Sequence, residues 1–431
     1  MVKRSAASMG ERSIGTVTNN TNHEDVLRHP SAKRARQIDL APPLQELNEI
    51  MGSRRKSKEK PTRVLHWFRS DFRLEDNRAL FHASQLAIDH SVPLITLYAS
   101  CSDDFRWQGT SPARVDFIFQ NLGILKSKLE KMNIPLCFVQ SDSRKSLLGE
   151  VLKFIEENGI SHVFANLEYE IDELRRDLKV LKDSKVEATF FHDQTIVRPG
   201  EVRGGSGPLK VFTPYHQTWL EILKRDSTLL KSVDPPKENP LSMKSELKAL
   251  FDQKLPEIPN EKKFDNNEQL ERIRKLWPAG HEAALKRLNA FVDKKIDTYG
   301  KDRSNPSKNV ASRMSPYFAA GVISMRETMN VVKSKRSSSA EGPFAWIREL
   351  CFREFYRQQL AVHPHKAMNL PHNLKFTSVE WQYNEDHWKV SLIFTFSPLC
   401  LGSCYWQKKS YADSSRHGWR ERQGTRSLMQ G

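Results

Sequence analysis

The segment FAWIRELCFREFYRQQLAVHP (344–364) holds the residues best suited to chemistry. On a helix Trp346, Glu349 and Arg353 fall at i, i+3 and i+7 and share one face. Ile347, Leu350, Cys351 and Phe355 form the apolar face beside it. An aromatic ring, a carboxylate and a guanidinium side by side can hold a planar ring, its polar edge and an anion. The plain alternative is an ordinary helix with Trp346 in the core and Glu349–Arg353 as an i,i+4 ion pair. Upstream, YGKDRSNPSKNVASRMSPYFAAGVI (299–323) sets Asn309, Ser312 and Ser315 around Arg313, where a helix is expected to start. Hydroxyls, amides and a cation at a helix N-terminus suit a diphosphate, although many loop-to-helix transitions share this composition.

Such residues need a scaffold, and the preceding chain carries the pattern of one. Short apolar runs recur at 64–68 (VLHWF), 94–99 (LITLYA), 136–139 (LCFV), 162–166 (HVFAN) and 188–191 (ATFF), rich in β-branched and aromatic types. Between them lie helical spacings. Val115, Ile118, Phe119, Leu122, Leu125 and Leu129 make one stripe behind Ser111-Pro112, a helix start, and Leu147, Val151, Phe154 and Ile155 make another. The alternation predicts an α/β doubly wound parallel-sheet domain over 63–198. No GxGxxG or GxxxxGK[ST] follows the first strand, so a standard dinucleotide or nucleoside-triphosphate site is not indicated. Residues 199–265 are rich in Pro, Gly and Lys and read as an interdomain linker with an aromatic insertion, VFTPYHQTWLEIL. From 266 to 389 the pattern is helical.

The chain has 431 residues, with 68 Lys and Arg against 52 Asp and Glu, a net charge of +16. That length holds two or more domains, and that charge points to an anionic partner, nucleic acid first, or to a solvated basic surface. Cysteines 101, 137, 351, 400 and 404 are scattered, form no disulfide framework and suit a reducing compartment. Residues 1–62 lack apolar periodicity and read as a disordered basic extension. Their clusters Lys33-Arg34-Ala35-Arg36 and Arg54-Arg55-Lys56-Ser57-Lys58 are of the nuclear-localisation type. No signal peptide is expected, because residues 1–30 lack an apolar core. The run HWKVSLIFTFSPLCLGSCYW (387–406) is apolar but interrupted by Ser, Thr, Pro and Gly, a poor membrane span. Cys400 and Cys404 lack further ligands at metal spacing.

HWFRSDFRLEDNRAL (66–80) resembles the opening signature of the DNA photolyase/cryptochrome family. VFTPYHQTW, the Tyr299 to SRMSPY segment and WIRELCFREFY follow in the family's order and spacing. AALKRLNAFVDKKIDTYGKDR and HPHKAMNLP fit its fungal-type class I branch, which acts on cyclobutane pyrimidine dimers. The resemblance, over about 63–389, implies an α/β antenna domain and an all-α FAD-binding domain. It also implies light-driven electron transfer from reduced FAD that splits dimers in damaged DNA. A cryptochrome-like photoreceptor, or a remnant without flavin, is the alternative.

By matching positions the resemblance puts Tyr299, Ala311, Ser312, Arg313, Met314, Ser315, Trp346 and Arg353 at the flavin. It puts Arg303, Glu349, Phe352, Arg353 and Tyr356 at the DNA, with Glu349, Trp346 and Phe352 as the catalytic group. Asp172 and Glu173 would border an antenna chromophore, methenyltetrahydrofolate first. Three positions depart from the family pattern. Ala311 stands where the family has Thr, Phe352 where bacterial class I members have Trp, and Met368 where a lysine is expected, with Lys366 two residues away. After His387-Trp388-Lys389 the family's helical domain should continue. Instead, 390–431 reads as an aberrant tail, leaving that domain incomplete and the expected activity impaired. A monomer, nuclear and also mitochondrial, without membrane contact, completes the expectation.

Overall fold

The computed structural model describes residues 30–53, 60–107, 109–183, 185–335 and 341–379. The chain divides into two units, His29–His372 and a second made of Met1–Arg28 with Asn373–Gly431. In the second, the described residues hold one 3-10 turn, Leu374–Phe376, capped by the Asn373 side chain. The run at 387–406, with Cys400 and Cys404, lies outside the described residues, as does the tail 390–431. Among the described residues no helix is long and apolar enough to cross a membrane.

The first unit opens with helices α1 (Ala32–Leu40) and α2 (Pro43–Ser53). An α/β layer follows: β1 (Val64–Phe68), α3 (Arg78–Asp89), β2 (Leu94–Cys101), α4 (Ser102–Trp107), α5 (Pro112–Lys131) and β3 (Leu136–Ser141). It closes with α6 (Arg144–Glu157), β4 (His162–Asn166), α7 (Ile171–Asp183) and β5 (Glu187–Phe191). The five strands pair in the order β3-β2-β1-β4-β5, all parallel. β1 is buried at every residue, because a central parallel strand is covered on both faces. Caps place the helices where the sequence signals them: Ser111 before Pro112, Asn77 before Arg78, Ser143 before Arg144. The strand order reverses between β1 and β4, so the carboxyl ends of these strands open a crevice.

The connection beyond the sheet, residues 199–265, is largely folded. It holds a two-residue ribbon, β6 (Arg203–Gly204) and β7 (Gly207–Pro208), then α8 (Phe212–Arg225), α9 (Leu241–Glu246) and α10 (Lys248–Phe251). Tyr215, Trp219 and Leu223 of α8 are buried, which is why a stretch with polar flanks folds as a helix. The helical layer continues with α11 (Asn267–Leu276), α12 (His281–Lys294), α13 (Ile296–Asp302), α14 (Ser315–Ala319), α15 (Met325–Ser334) and α16 (Glu341–Val362).

Residues 32–53 likewise differ from the expected disordered extension. Ala35, Ile38, Leu44 and Leu47 are buried, and α2 packs on α7 while α1 packs on the turn Pro364–Ala367. His365 Nδ1 and Asp39 Oδ2 lie 2.6 Å apart, and Glu46 pairs with Lys182. A short apolar stripe split over two helices has no periodicity long enough to be read. Its partner surface supplies the stability that propensity lacks. Lys33, Arg34 and Arg36 sit exposed on α1, and the cluster 54–58 lies outside the described residues.

The loop after β1, the RSDFRLEDN stretch, is the plate on which the helical layer is set. Asp71 accepts from Arg69 N at 2.7 Å and from Asn166 Nδ2 at 2.7 Å. Arg73 donates to Gly321 O at 2.9 Å, and Arg326 donates to Asp76 at 2.9 Å and to Asp193 at 2.6 Å. Gly321 has φ +62°, and a Cβ there would meet Ser70 O at 2.1 Å, so only glycine lets the two layers come this close.

Candidate functional site

The site is built on α16 where it crosses α13. A Cβ on Gly342 would lie 1.9 Å from Ile296 O, so a glycine at that crossing sets the approach of the two helices. Trp346, 3% exposed, packs its ring 5.1 Å from Phe291 of α12. Phe291 in turn meets Tyr299 of α13 edge to face at 5.7 Å. Three helices therefore build one aromatic wall with Tyr299 half-buried at its end. Burial, with the Glu349 charge nearby, raises the Tyr299 hydroxyl above its ordinary pKa.

At the rim of this wall the Arg303 guanidinium donates to the Glu349 carboxylate, both half-exposed. The i,i+4 pair Glu349–Arg353 is not the one formed. Arg353 spends its guanidinium inward, donating to Gln194 O at 2.7 Å and Phe318 O at 3.2 Å. Burial pulls it down to about 10. Arg353 thus ties α16 to the loop leaving the sheet and to α14, one turn beyond Glu349.

The loop from 303 to 314 passes beside the wall. Lys308 Nζ donates to Asp302 at 2.6 Å, and Arg313 Nη2 and Lys295 Nζ both reach Asn309 Oδ1, at 3.2 and 3.5 Å. Arg313 stands at φ 55°, a left-handed turn that brings Met314 into the core. Its carbonyl accepts from Trp277 Nε1 at 3.3 Å. Ala311, Arg313 and Ser315 are exposed and Ser312 is half-buried. The loop therefore offers hydroxyls, amide edges and a cation outward, the donor chemistry of an anion cradle.

Phe352 lies flat on Phe212 of α8, ring centroids 3.3 Å apart, with the Arg348 guanidinium near both rings. Tyr356, 60% exposed, continues the stripe. One residue here escaped sequence reasoning. Glu354 is buried and accepts from Ile196 N at 2.6 Å, Val197 N at 3.3 Å and Trp219 Nε1 at 2.8 Å. Burial pushes its carboxyl up to about 7, against the pull of those donors. The signal was the pairing of FREFY (352–356) with YHQTW (215–219), which only a fold can bring together.

A second site opens at the carboxyl ends of the central strands, a cavity of about 160 Å³ bounded by Trp67, Arg69, Tyr98, Glu168, Glu173 and Arg176. Trp67 is flanked by the guanidiniums of Arg69 at 4.5 Å and Arg176 at 5.0 Å from its ring centre. Arg69 Nη1 bonds Asp177 at 2.7 Å, while its Nε and Nη2 are buried without a partner among the described residues. Glu173 bonds Arg144 at 3.0 Å, and burial pushes it up to about 7. Asp172 does not line the cavity: its exposed side chain lies 3.9 Å from the same Arg144 and 3.8 Å from Arg175. Lys366 is held by Gln359 at 2.7 Å, and burial lowers it to about 8.

Residues 64–239 match the DNA photolyase family model. The deoxyribodipyrimidine photo-lyase of Neurospora crassa is 35% identical over 337 residues, 75% of this chain and 55% of that protein. The mitochondrial deoxyribodipyrimidine photo-lyase of Saccharomyces cerevisiae is 28% identical, over 80% of this chain and 65% of that protein. This chain therefore spans 55% and 65% of the lengths of these two curated relatives. Among solved structures, a class III photolyase of Agrobacterium tumefaciens superposes with a TM-score of 0.60 at 23% identity, over 79% of this chain and 67% of that one. A Synechocystis cryptochrome does so with a TM-score of 0.57 at 19% identity, over 78% and 68%. These two likenesses speak for the fold. The match to the DNA photolyase family model spans the sheet and α8, and the similarity to the Neurospora photo-lyase extends over three quarters of this chain.

Proposed function

We propose that this chain binds FAD and pyrimidine-dimer DNA and takes part in light-driven dimer splitting. The observation that carries the reading is the Arg303–Glu349 pair at the open end of the Tyr299–Phe291–Trp346 wall, beside the 309–315 loop. The chemistry of these residues fits a flavin on the side they form. Tyr299, backed by the buried Phe291 and Trp346, suits a flavin ring surface, and Ser312, Arg313 and Ser315, with the amide of Ala311, suit a diphosphate. When bound, a reduced flavin supplies one photoexcited electron to the lesion and takes it back.

The protein's own part is positional and electrostatic. Glu349 orients an extruded dimer by accepting from an N–H group on its polar edge. The flipped lesion costs less to extrude than an intact pair, since its stacking and pairing are already weakened. Phe352, stacked on Phe212, offers a flat apolar face to a base, and Tyr356 extends that face. Arg303 grips phosphate and so fixes register and not sequence. Arg353 holds α16 in place from behind.

The strand-end cavity is proposed as the antenna site, because ligands in such sheets bind where the strand order reverses. The unpartnered Arg69 atoms and Glu173 would meet the polar edge of a planar chromophore such as methenyltetrahydrofolate. The exposed basic face of α1 supports nuclear import, checked by imaging a fluorescent fusion with and without Lys33→Ala/Arg34→Ala/Arg36→Ala.

The test uses the full chain, loaded with FAD and reduced. Dimer-containing oligonucleotide is incubated with it in blue light and in darkness. Dimer loss in light alone supports the reading. Retained flavin with no dimer loss favours a photoreceptor, and no retained flavin removes the reading.

A further inference from the structure

Helix α12 begins without a capping side chain. Gly280 stands at its cap, and the Gly280 N–H is held by Asn121 Oδ1 of α5 at 2.9 Å. The next residue, His281, has a side chain only 10% exposed and set between two carboxylates from different layers. Its Nε2 lies 2.8 and 3.0 Å from the two oxygens of Glu327, in the first turn of α15. Its Nδ1 lies 3.7 Å from Glu75 Oε2, in the loop after β1.

The proton count follows from this geometry. A carboxylate accepts and does not donate, and a neutral imidazole carries one N–H. Two ring nitrogens facing two carboxylates are both satisfied only in the imidazolium form. A cation in the first turn of a helix opposes the helix dipole, so α12 itself disfavours the charge. Burial also pulls His281 down, but Glu327 first and then Glu75 pull harder and raise it above its ordinary value. The other charged groups at this junction are Lys128 of α5, 3.5 Å from Glu75, and the exposed Glu282, 3.2 Å from Lys128. Lys128 repels the imidazolium and at the same time holds Glu75 beside it.

We infer that His281 is a pH-responsive brace between the two layers: charged, it ties the start of α12 to both Glu75 and Glu327, and neutral, it keeps Glu327 and lets Glu75 go. The neutral ring keeps its proton at Nε2, where the contact is shorter, and turns a lone pair at Nδ1 toward Glu75. The first turn of α12, which no side chain caps, then loses its tie to the loop after β1 and retains Asn121 and Glu327. α12 also carries Phe291, which sits between Trp346 and Tyr299, so the brace acts on the helix at the centre of the aromatic wall. Neither flavin nor DNA is needed for it. A histidine whose folded value is raised contributes stability that is fully present below its unfolded value, about 6.5, and is lost as pH rises through the folded one. The brace is therefore closed near about pH 6 and opens as pH climbs beyond that range.

The experiment uses the full chain, His281→Gln and Glu75→Gln between about pH 6 and 9. Hydrogen exchange, corrected for its intrinsic pH dependence, is followed at the amides of α12 and of the sheet. The ring signals of carbon-labelled histidine are followed by NMR. The signal lost in His281→Gln is expected to titrate above about 6.5, and at a lower pH in Glu75→Gln than in the parent. Protection of the first turns of α12, relative to the sheet, is expected to fall about fivefold across the range in the parent. It should stay level in His281→Gln and change less in Glu75→Gln. A midpoint at or below about 6.5, or protection of α12 that ignores pH, would each overturn the inference. So would a loss shared equally by α12 and the sheet, because His281 would then be one buried charge among others and not a brace on α12. Glu75→Gln alone suffices if His281→Gln does not fold: no histidine signal moved by it overturns the inference as well.

Discussion

Trp219 and Glu354 lie 135 residues apart and meet in the core, where the indole Nε1 donates to the buried carboxylate at 2.8 Å. Two backbone N–H groups, of Ile196 and Val197, reach the same carboxylate. This one side chain joins α8, the loop leaving the sheet, and α16, and so fixes the helix that carries Trp346, Glu349 and Phe352.

That contact has a pH signature. Burial raises Glu354 from 4.5 to about 7 in the folded chain. A carboxyl whose folded value is raised contributes stability that is fully present below its unfolded value and is lost as pH rises through its folded value. Stability should therefore decline across about pH 4.5 to 7, by up to about 3 kcal/mol from this group. Glu354→Gln, neutral throughout, is expected to flatten that part of the profile. Urea unfolding of both proteins over the pH series checks it, and parallel profiles would exclude an ionising Glu354.

The plate between the layers depends on buried charge. Arg326, 1% exposed, is held by Asp76 and Asp193, and Asp193 also receives Arg73. Asp193→Ala leaves two buried guanidiniums short of a partner. It is expected to cost on the order of 3–5 kcal/mol. Replacing Arg198, an exposed neighbour, should change stability by less than about 0.5 kcal/mol. Thermal unfolding of the two variants makes the comparison.

Gly342 is a steric prediction. A methyl group there collides with Ile296 O, so Gly342→Ala must part α16 from α13. Parting them moves Glu349 away from Arg303. We expect a loss of at least about 1 kcal/mol. Flavin retention should fall with it, whereas Gly149→Ala, inside α6 with nothing within 4 Å, should leave flavin retention unchanged and raise stability by about 0.5–1 kcal/mol.

Arg303→Ala separates grip from recognition. The residue is half-exposed, so its loss should hardly change stability. Affinity for dimer-containing and undamaged duplexes should fall by a similar factor. The slope of log affinity against log salt should drop by about 1 for each. Titrations at several salt concentrations decide it. A loss confined to dimer DNA would instead make Arg303 a partner of the lesion.

Much of the sheet was legible in the sequence, for a physical reason. A central parallel strand is buried on both faces, so runs such as VLHWF are apolar throughout, and Ser111-Pro112 announces α5 by its own chemistry. The helical face of Trp346, Glu349 and Arg353 was legible as spacing, but not as contacts. Glu349 could pair with Arg353 four residues on or with Arg303 forty-six residues back, and only the crossing of α13 and α16 selects the second. α1 and α2 were not legible, because nine and eleven residues carry too little apolar area to form helices alone. Asp172 and Glu173 both reach Arg144, but only Glu173 lines the strand-end cavity, since consecutive helix residues point about 100° apart.

The sequence by itself determined the period of the sheet strands and of the helices between them, their caps, the order of the segments and the family they resemble. These are local properties, set within a few residues by sterics, hydrogen bonding and burial preference. Tertiary structure decided which charges pair and which carboxyl groups lose water and rise to about 7. Those depend on groups tens to more than a hundred residues away along the chain, and only packing brings them within reach.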